Sequence, residues 1–233
     1  MATGDITPAL AWTSSIAGFD AATGLTPGNI LSVNATVVVA IAEITGPILY
    51  LWTMSIDNAG VLGAQIDKEL VAATGIKGYI QHVAGDVYTV LYQNNAGNVN
   101  MATYSIAADG TIVFIFAANI EVAGTIRSDR LYTVSHGLFT CSIEVGGEPR
   151  VYVISVSDDG GTITTVDFLH DGFAHTNVGM YFCHIAGDVW CVARSKAAAG
   201  ESLRFVTYTI NGAGVAMIDD AVIDAVSVVS GET

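Results

Sequence analysis

The sequence predicts an all-β protein built from four copies of one four-stranded antiparallel unit. Three observations carry this. A heptapeptide recurs: His82 to Tyr88 reads His-Val-Ala-Gly-Asp-Val-Tyr and His184 to Trp190 reads His-Ile-Ala-Gly-Asp-Val-Trp, at an offset of 102, two steps of 51. Four turn signals, Asp57-Asn58-Ala59-Gly60, Asp109-Gly110, Asp159-Gly160 and Asn211-Gly212, follow the related endings Ser55-Ile56, Ser105-Ile106, Ser155-Val156 and Thr209-Ile210, spaced by 50, 50 and 54 residues. The runs between turns are rich in Val, Ile, Tyr, Phe and Thr, which suit a pleated, packed surface, and none reads better as a helix of ordinary length.

The second repeat shows the frame most plainly. Its strands are expected over Tyr79 to Val83, Val87 to Gln93, Val99 to Ile106 and Thr111 to Ile120. The fourth repeat maps as Met180 to Ile185, Val189 to Arg194, Leu203 to Ile210 and Val215 to Ile223. The third runs through Leu131 to Val134, Leu138 to Ile143, Arg150 to Val156 and Thr162 to Leu169. The first is the most degenerate: Ile30 to Val33, Thr36 to Ala42, Ile48 to Ile56 and Val61 to Leu70. The loop between second and third strands varies most, from Thr45-Gly46-Pro47 through Val145 to Pro149 to Ser195 to Ser202, which marks it as surface.

Four antiparallel strands in about 50 residues are the pattern of a β-propeller blade. One such sheet cannot bury both faces alone; stacked neighbours can. The repeat opens on Gly85-Asp86-Val87-Tyr88 or Gly187-Asp188-Val189-Trp190 and closes on Asp109-Gly110-Thr111-Ile112. With these motifs it resembles the blade repeats of β-propeller proteins from environmental bacteria, archaea and their viruses. The Gly-His and Trp-Asp dipeptides of WD repeats are absent. The expected organisation is an arm or extra outer strand over residues 1–24 and a propeller over 25–233, with blades near 25–75, 76–126, 127–177 and 178–233.

The arm has its own register. Phe19 to Gly24 matches Leu70 to Gly75 at an offset of 51, so residues from Ala9 to Asp20 read as a fourth strand ahead of any complete repeat. It could edge a small ring, share a partial fifth blade with the tail after Ala225, or pair with another subunit, since an open strand edge is a template for another chain. Trp12 and Phe19 are its candidate assembly residues.

Composition narrows the function classes. The chain has 233 residues and a net charge of −14, with 8 Lys and Arg against 22 Asp and Glu. So few cations cannot easily form the basic patch that nucleic acid requires, and the sign opposes docking on anionic lipid. Although 52% of residues are hydrophobic, no apolar run reaches the roughly 20 residues of a membrane helix. The start, Met-Ala-Thr-Gly-Asp, lacks the pattern of a signal peptide. Cys141, Cys183 and Cys191 make no disulfide framework; Cys183 and Cys191 could face each other across a hairpin, but small buried hydrophobes are the favoured reading. No cofactor is expected.

No catalytic constellation stands out. His82 and His184 share a repeat slot, which explains them without chemistry. His170, Asp171 and His175 form a weak metal candidate set against an inter-blade loop. Asp57, Asp86, Asp109, Asp158, Asp159 and Asp188 sit at turns, where carboxylates cap backbone N–H groups. Asp219, Asp220 and Asp224 read as a solvated acidic cluster. Ser135-His136-Gly137 lacks the nucleophile-elbow pattern, and Gly146-Gly147 and Gly160-Gly161 lack the Lys-Ser or Lys-Thr of a phosphate loop. Asn34-Ala35-Thr36 is a coincidental sequon. Trp12, Trp52, Trp190, Tyr88, Tyr92 and Tyr104 could stack on sugars, but equivalent aromatics usually pack between blades. First strands offer Ser32, Gln81, Thr133 and His184 to a channel, too ordinary a set to name a reaction.

The expectation is therefore a non-enzymatic structural or assembly protein, in a phage or archaeal virion as a surface, decoration or tail component. Its partners would be other subunits, as a homo-oligomer or with virion proteins, without nucleic acid or membrane insertion. The alternative is a lectin-like module at a cell surface or in the extracellular space, binding surface glycans through repeated weak sites.

Overall fold

A computed structural model describes residues 30–44, 47–170, 180–196 and 202–227. Every regular element among them is a strand, and the strands form four antiparallel sheets in sequence order. The first holds β1 (Ile30–Ser32), β2 (Val37–Ile44), β3 (Ile48–Ile56) and β4 (Leu62–Ala72). The second holds β5 (Gly75–Ala84), β6 (Val87–Asn94), β7 (Val99–Ile106) and β8 (Ile112–Glu121). The third takes β9 (Gly124–Ile126), β10 (Tyr132–Ser135), β11 (Leu138–Val145), β12 (Glu148–Val156) and β13 (Ile163–His170), with β9 paired to the far end of β11. The fourth holds β14 (Met180–Ala186), β15 (Val189–Lys196), β16 (Ser202–Ile210) and β17 (Ala216–Ser227).

These are propeller-like blades, as the repeat predicts. Residues 124–126, expected to close the second repeat, instead pair within the third sheet. The anticipated loop from Val145 to Pro149 is a two-residue turn. Val145 pairs with Glu148, and Gly146 and Gly147 both adopt positive φ, 62° and 84°, the backbone that a tight hairpin needs. The arm over residues 1–24, with Trp12 and Phe19, lies outside the described residues.

The blades stack face to face. The trailing face of the first (Val39, Ile41, Leu49, Leu51) packs on the leading face of the second (Ile80, Tyr88, Val90, Tyr104). The second's trailing face (Tyr79, Val83, Leu91, Met101) meets Phe139, Cys141, Tyr152 and Ile154 of the third. Leu138, Val151 and Val153 then meet Phe182, Trp190, Val192 and Tyr208 of the fourth. A sheet held between two others is buried on both faces, so its inner strands read as continuous apolar runs rather than alternating ones. Val87 through Leu91, on β6 of the second blade, are all at most 5% exposed for this reason. Among the described residues no apolar cluster joins the fourth blade to the first.

Candidate functional site

The best-formed constellation in the molecule is the joint between blades. The turns closing the third strands repeat one geometry. Gly60, Gly110, Gly160 and Gly214 all have positive φ, from 72° to 93°, and each donates its N–H three residues back, to Asp57, Ala107, Ser157 and Asn211. Asp57, Asp109 and Asp159 cap backbone N–H groups as expected, whereas Asp86 accepts from the Ser105 hydroxyl and Asp158 pairs with His136. Asp57 Oδ1 accepts from the N–H groups of Ala59 and Val61, both at 2.9 Å, and Asp109 Oδ1 from that of Thr111 at 2.9 Å. Asp159 Oδ1 accepts from Gly161 N–H at 2.9 Å and Ser157 Oγ at 2.6 Å. These bonds favour the ionised form and hold the carboxyls of Asp109 and Asp159 below their ordinary range. In the fourth blade the left-handed residue is Gly214, not Gly212. Asn211 stands where Asp57 does and caps Ala213 and Val215, both at 3.0 Å.

Each of the later turns docks on the blade before it. The hydroxyl of Thr53 donates to the Gly110 carbonyl at 2.6 Å, and that of Thr103 to the Gly160 carbonyl at 2.7 Å. Bulges in β4, β8 and β13 place Ile66, Ile115 and Val166 against Gly110, Gly160 and Gly214, where a Cβ would meet them at 2.9 to 3.0 Å. Asp67 and Asp167 complete the lock, accepting the N–H of Ile112 at 2.8 Å and of Ala216 at 3.0 Å. Val153 replaces the threonine at the third joint. Asn34, the sequon residue, is part of the same system: its amide donates to the Ala108 carbonyl at 2.8 Å.

A second set of ties joins the second and third blades. Lys77 Nζ donates to the Ile126 carbonyl at 2.8 Å and Gln81 Nε2 to the Leu131 carbonyl at 2.7 Å, while Gln93 Oε1 accepts Ile126 N–H at 3.0 Å. Burial, then the nearby Arg127 charge, lowers the Lys77 pKa, with Glu144 opposing. Gln81 is thus a structural strut.

At the rim of the third blade lies a charged network. Tyr152 donates to Glu121; Arg150 approaches Glu121 at 4.0 Å and Glu148 at 3.9 Å; His170 Nε2 lies 3.1 Å from Glu148. Arg150 also sits 5.5 Å from the Phe168 ring centre, and that ring stacks on Tyr152 at 5.7 Å. Burial, then the bond to Glu121, raises the Tyr152 pKa.

The remaining sequence candidates separate clearly. His82 and His184 close their own hairpins, with Nε2 at 2.9 Å from the Gly85 carbonyl and 2.8 Å from that of Gly187. Their rings lie 5.0 Å from Tyr88 and Trp190, and those two aromatics are core, as are Trp52 and Tyr104. His136 pairs with Asp158 at 2.8 Å on an exposed turn. Asp171 and His175 lie outside the described residues, as do the side chains of Asp219, Asp220 and Asp224. Among the described residues no three His, Cys, Asp or Glu side chains converge on a common point. The cysteines correct the favoured reading. Cys141 is buried, which pushes its thiol up to about 12, but Cys183 is exposed and Cys191 only half-buried. The two pair directly across β14 and β15, the facing arrangement held as the alternative, and both are free thiols.

The sequence reading missed the exposed apolar side chains. Leu70 on β4, Val113, Phe114 and Phe116 on β8, Phe168 on β13 and Met217 on β17 are 39 to 56% exposed. All lie on fourth strands, the outer edges of the sheets, and fourth strands of successive blades touch. The available signal was that fourth-strand runs such as Thr111 to Ile120 are as apolar as inner strands yet have no sheet beyond them.

No protein-family model matches this chain, and no curated protein matches it. Among solved structures, the crystal structure of a Lactobacillus plantarum protein is similar at a TM-score of 0.57 and 11% identity, over 80% of this chain and 54% of that one. The chain thus spans about half the length of that protein. At that identity the likeness concerns the fold alone, and it agrees with a propeller-like all-β architecture.

Proposed function

We propose that this chain is a non-enzymatic structural protein that works by assembly, as a surface, decoration or tail component of a phage or archaeal virus particle. The observation that supports this is the apolar band on the fourth strands. A large exposed apolar patch on a folded protein marks an interaction site, and an open strand edge adds unpaired backbone groups to it. With a net charge of −14, copies repel one another over most of their surface, so uncharged patches are where protein partners can seat. The test is a Phe114→Asp, Phe116→Asp variant. Both side chains are exposed, so the fold is retained while co-sedimentation with assembled particles is lost. Particles that recruit the variant as well as the native chain overturn the reading.

The rim network of the third blade favours a second reading, a lectin-like module. Phe168 presents a half-exposed ring beside Arg150, Glu148 and His170, and a ring flanked by hydrogen-bonding groups is a platform for a sugar. Glycan-array binding abolished by Phe168→Ala would establish it; an array without signal removes it.

A further inference from the structure

We propose that the two ends of the blade stack are complementary halves of one more joint, made between two copies of this chain, head to tail. This rests on the assembly reading above and names its partner and surface.

The evidence is the contrast between repeat-equivalent positions. Tyr79 and Val83, on the trailing face of the second blade, are each 4% exposed because the third blade covers them. Their equivalents on the fourth blade, Tyr181 and Ile185, are 61% and 58% exposed. At the other end the same contrast appears. Gly110, Gly160 and Gly214 are buried against the preceding blade, whereas Gly60 is exposed, with no described atom within 4 Å of a built Cβ. Beside it Val61 is 60% exposed. The apolar cluster behind this turn, Val38, Ala40 and Met54, is already buried, so the first blade offers the turn and its flank rather than its whole face.

The chemistry of the two ends fits. Thr207 occupies the position of Thr53 and Thr103, whose hydroxyls hold the glycine carbonyls of the next blade. Gly60 carries the carbonyl that has no such donor among the described residues. The register puts Tyr181, Cys183, Cys191, Phe205, Thr207 and Met217 on the fourth blade's trailing face, with Asp219 opposite Thr207 as Asp67 is opposite Thr53 and Asp167 opposite Val153. That position is the one from which Asp67 and Asp167 accept an N–H of the next blade, so a second copy can sit on this face as a further blade would.

The solved structure it resembles places this chain over 54% of a larger fold. Among the described residues no apolar cluster joins the fourth blade to the first, so the two ends of the stack are left unjoined. A head-to-tail interface either closes or runs on as a filament; closure of two copies would bring together about eight blades, within the range that propellers use.

The experiment mixes two differently tagged copies, one carrying Ala59→Cys and the other Thr207→Cys, both with Cys183→Ser and Cys191→Ser. Cys141 is buried and unreactive. A short bismaleimide is expected to link the two tags, and Ile185→Asp in the second copy, an exposed position that leaves folding intact by circular dichroism, is expected to abolish the link. Native mass of an otherwise unchanged Ile185→Asp chain should fall to that of one chain. Several results overturn the joint: no link between tags, a link within one chain carrying both cysteines, or a link between two Thr207→Cys copies. An oligomer that survives Ile185→Asp sinks the joint but leaves the assembly reading standing through the outer band. A native chain that is monomeric and joins no particle ends both.

Discussion

At the scale of single residues, the account rests on the glycine lock, and the four copies supply internal controls. Gly60 and Gly160 share a positive φ, but only Gly160 is enclosed, with Ile115, Val87 and Thr103 3.0 to 3.2 Å from a built Cβ. Gly60→Ala therefore carries backbone strain alone, about 1–2 kcal/mol. Gly160→Ala adds overpacking, a further cost of about 1–3 kcal/mol, so urea unfolding should separate the two. Thr103→Val leaves the Gly160 carbonyl without its donor and is expected to destabilise by about 1–3 kcal/mol. Val153→Thr places a hydroxyl at the joint that lacks one and should be neutral or stabilising by up to about 1 kcal/mol. If both changes destabilise equally, the hydroxyl is not the locking group. Burial, with Asp129 adding, pushes the Tyr79 phenol up to about 12 from 10.0. The fold favours its neutral form. Its contribution to stability is thus complete below pH 10 and lost as pH rises from 10 towards 12, while the unfolded chain ionises first. Tyr79→Phe should flatten the fall in melting temperature across that window.

At the scale of strands and sheets, the frame was legible because turn chemistry and strand composition repeat together. The strand from Val99 to Ile106 was legible to the residue, since the Asn94-Asn95-Ala96-Gly97 loop and the Asp109-Gly110 turn bound it on either side. Two features were hidden. Pro149 looked like a loop residue, yet it pairs with Glu144 in the β11–β12 ladder; the neighbouring Gly146-Gly147 turn decides the register. Cys183 looked like a buried hydrophobe because free cysteine usually behaves as one; its exposure follows from the uncovered trailing face of its blade. The joints make a further prediction at this scale. Blades touch only their neighbours, so stability is shared locally. Amide exchange in β6, β7, β11 and β12, in blades covered on both faces, should be slower than in β14 and β15, whose trailing face is open. Uniform protection across all four blades would contradict a stack with an open end.

At the scale of the molecule, the sequence announced a stack of blades but not where it stops. A period records what each repeat does to the next; it holds nothing about the first and last. That is why the repeat-equivalent pairs Tyr79 and Tyr181, or Gly110 and Gly60, could be matched in the sequence while their opposite burial could not. The functional surfaces follow the same division. Inner positions such as Tyr88 and Trp190 are fully absorbed by packing, and what remains for partners is the outer band and the two ends. The native mass in solution of the full chain, beside the Ile185→Asp variant, tests this most directly. The account predicts twice the mass of one chain for the native protein and the mass of a single chain for the variant. Two monomers of equal stability would contradict it.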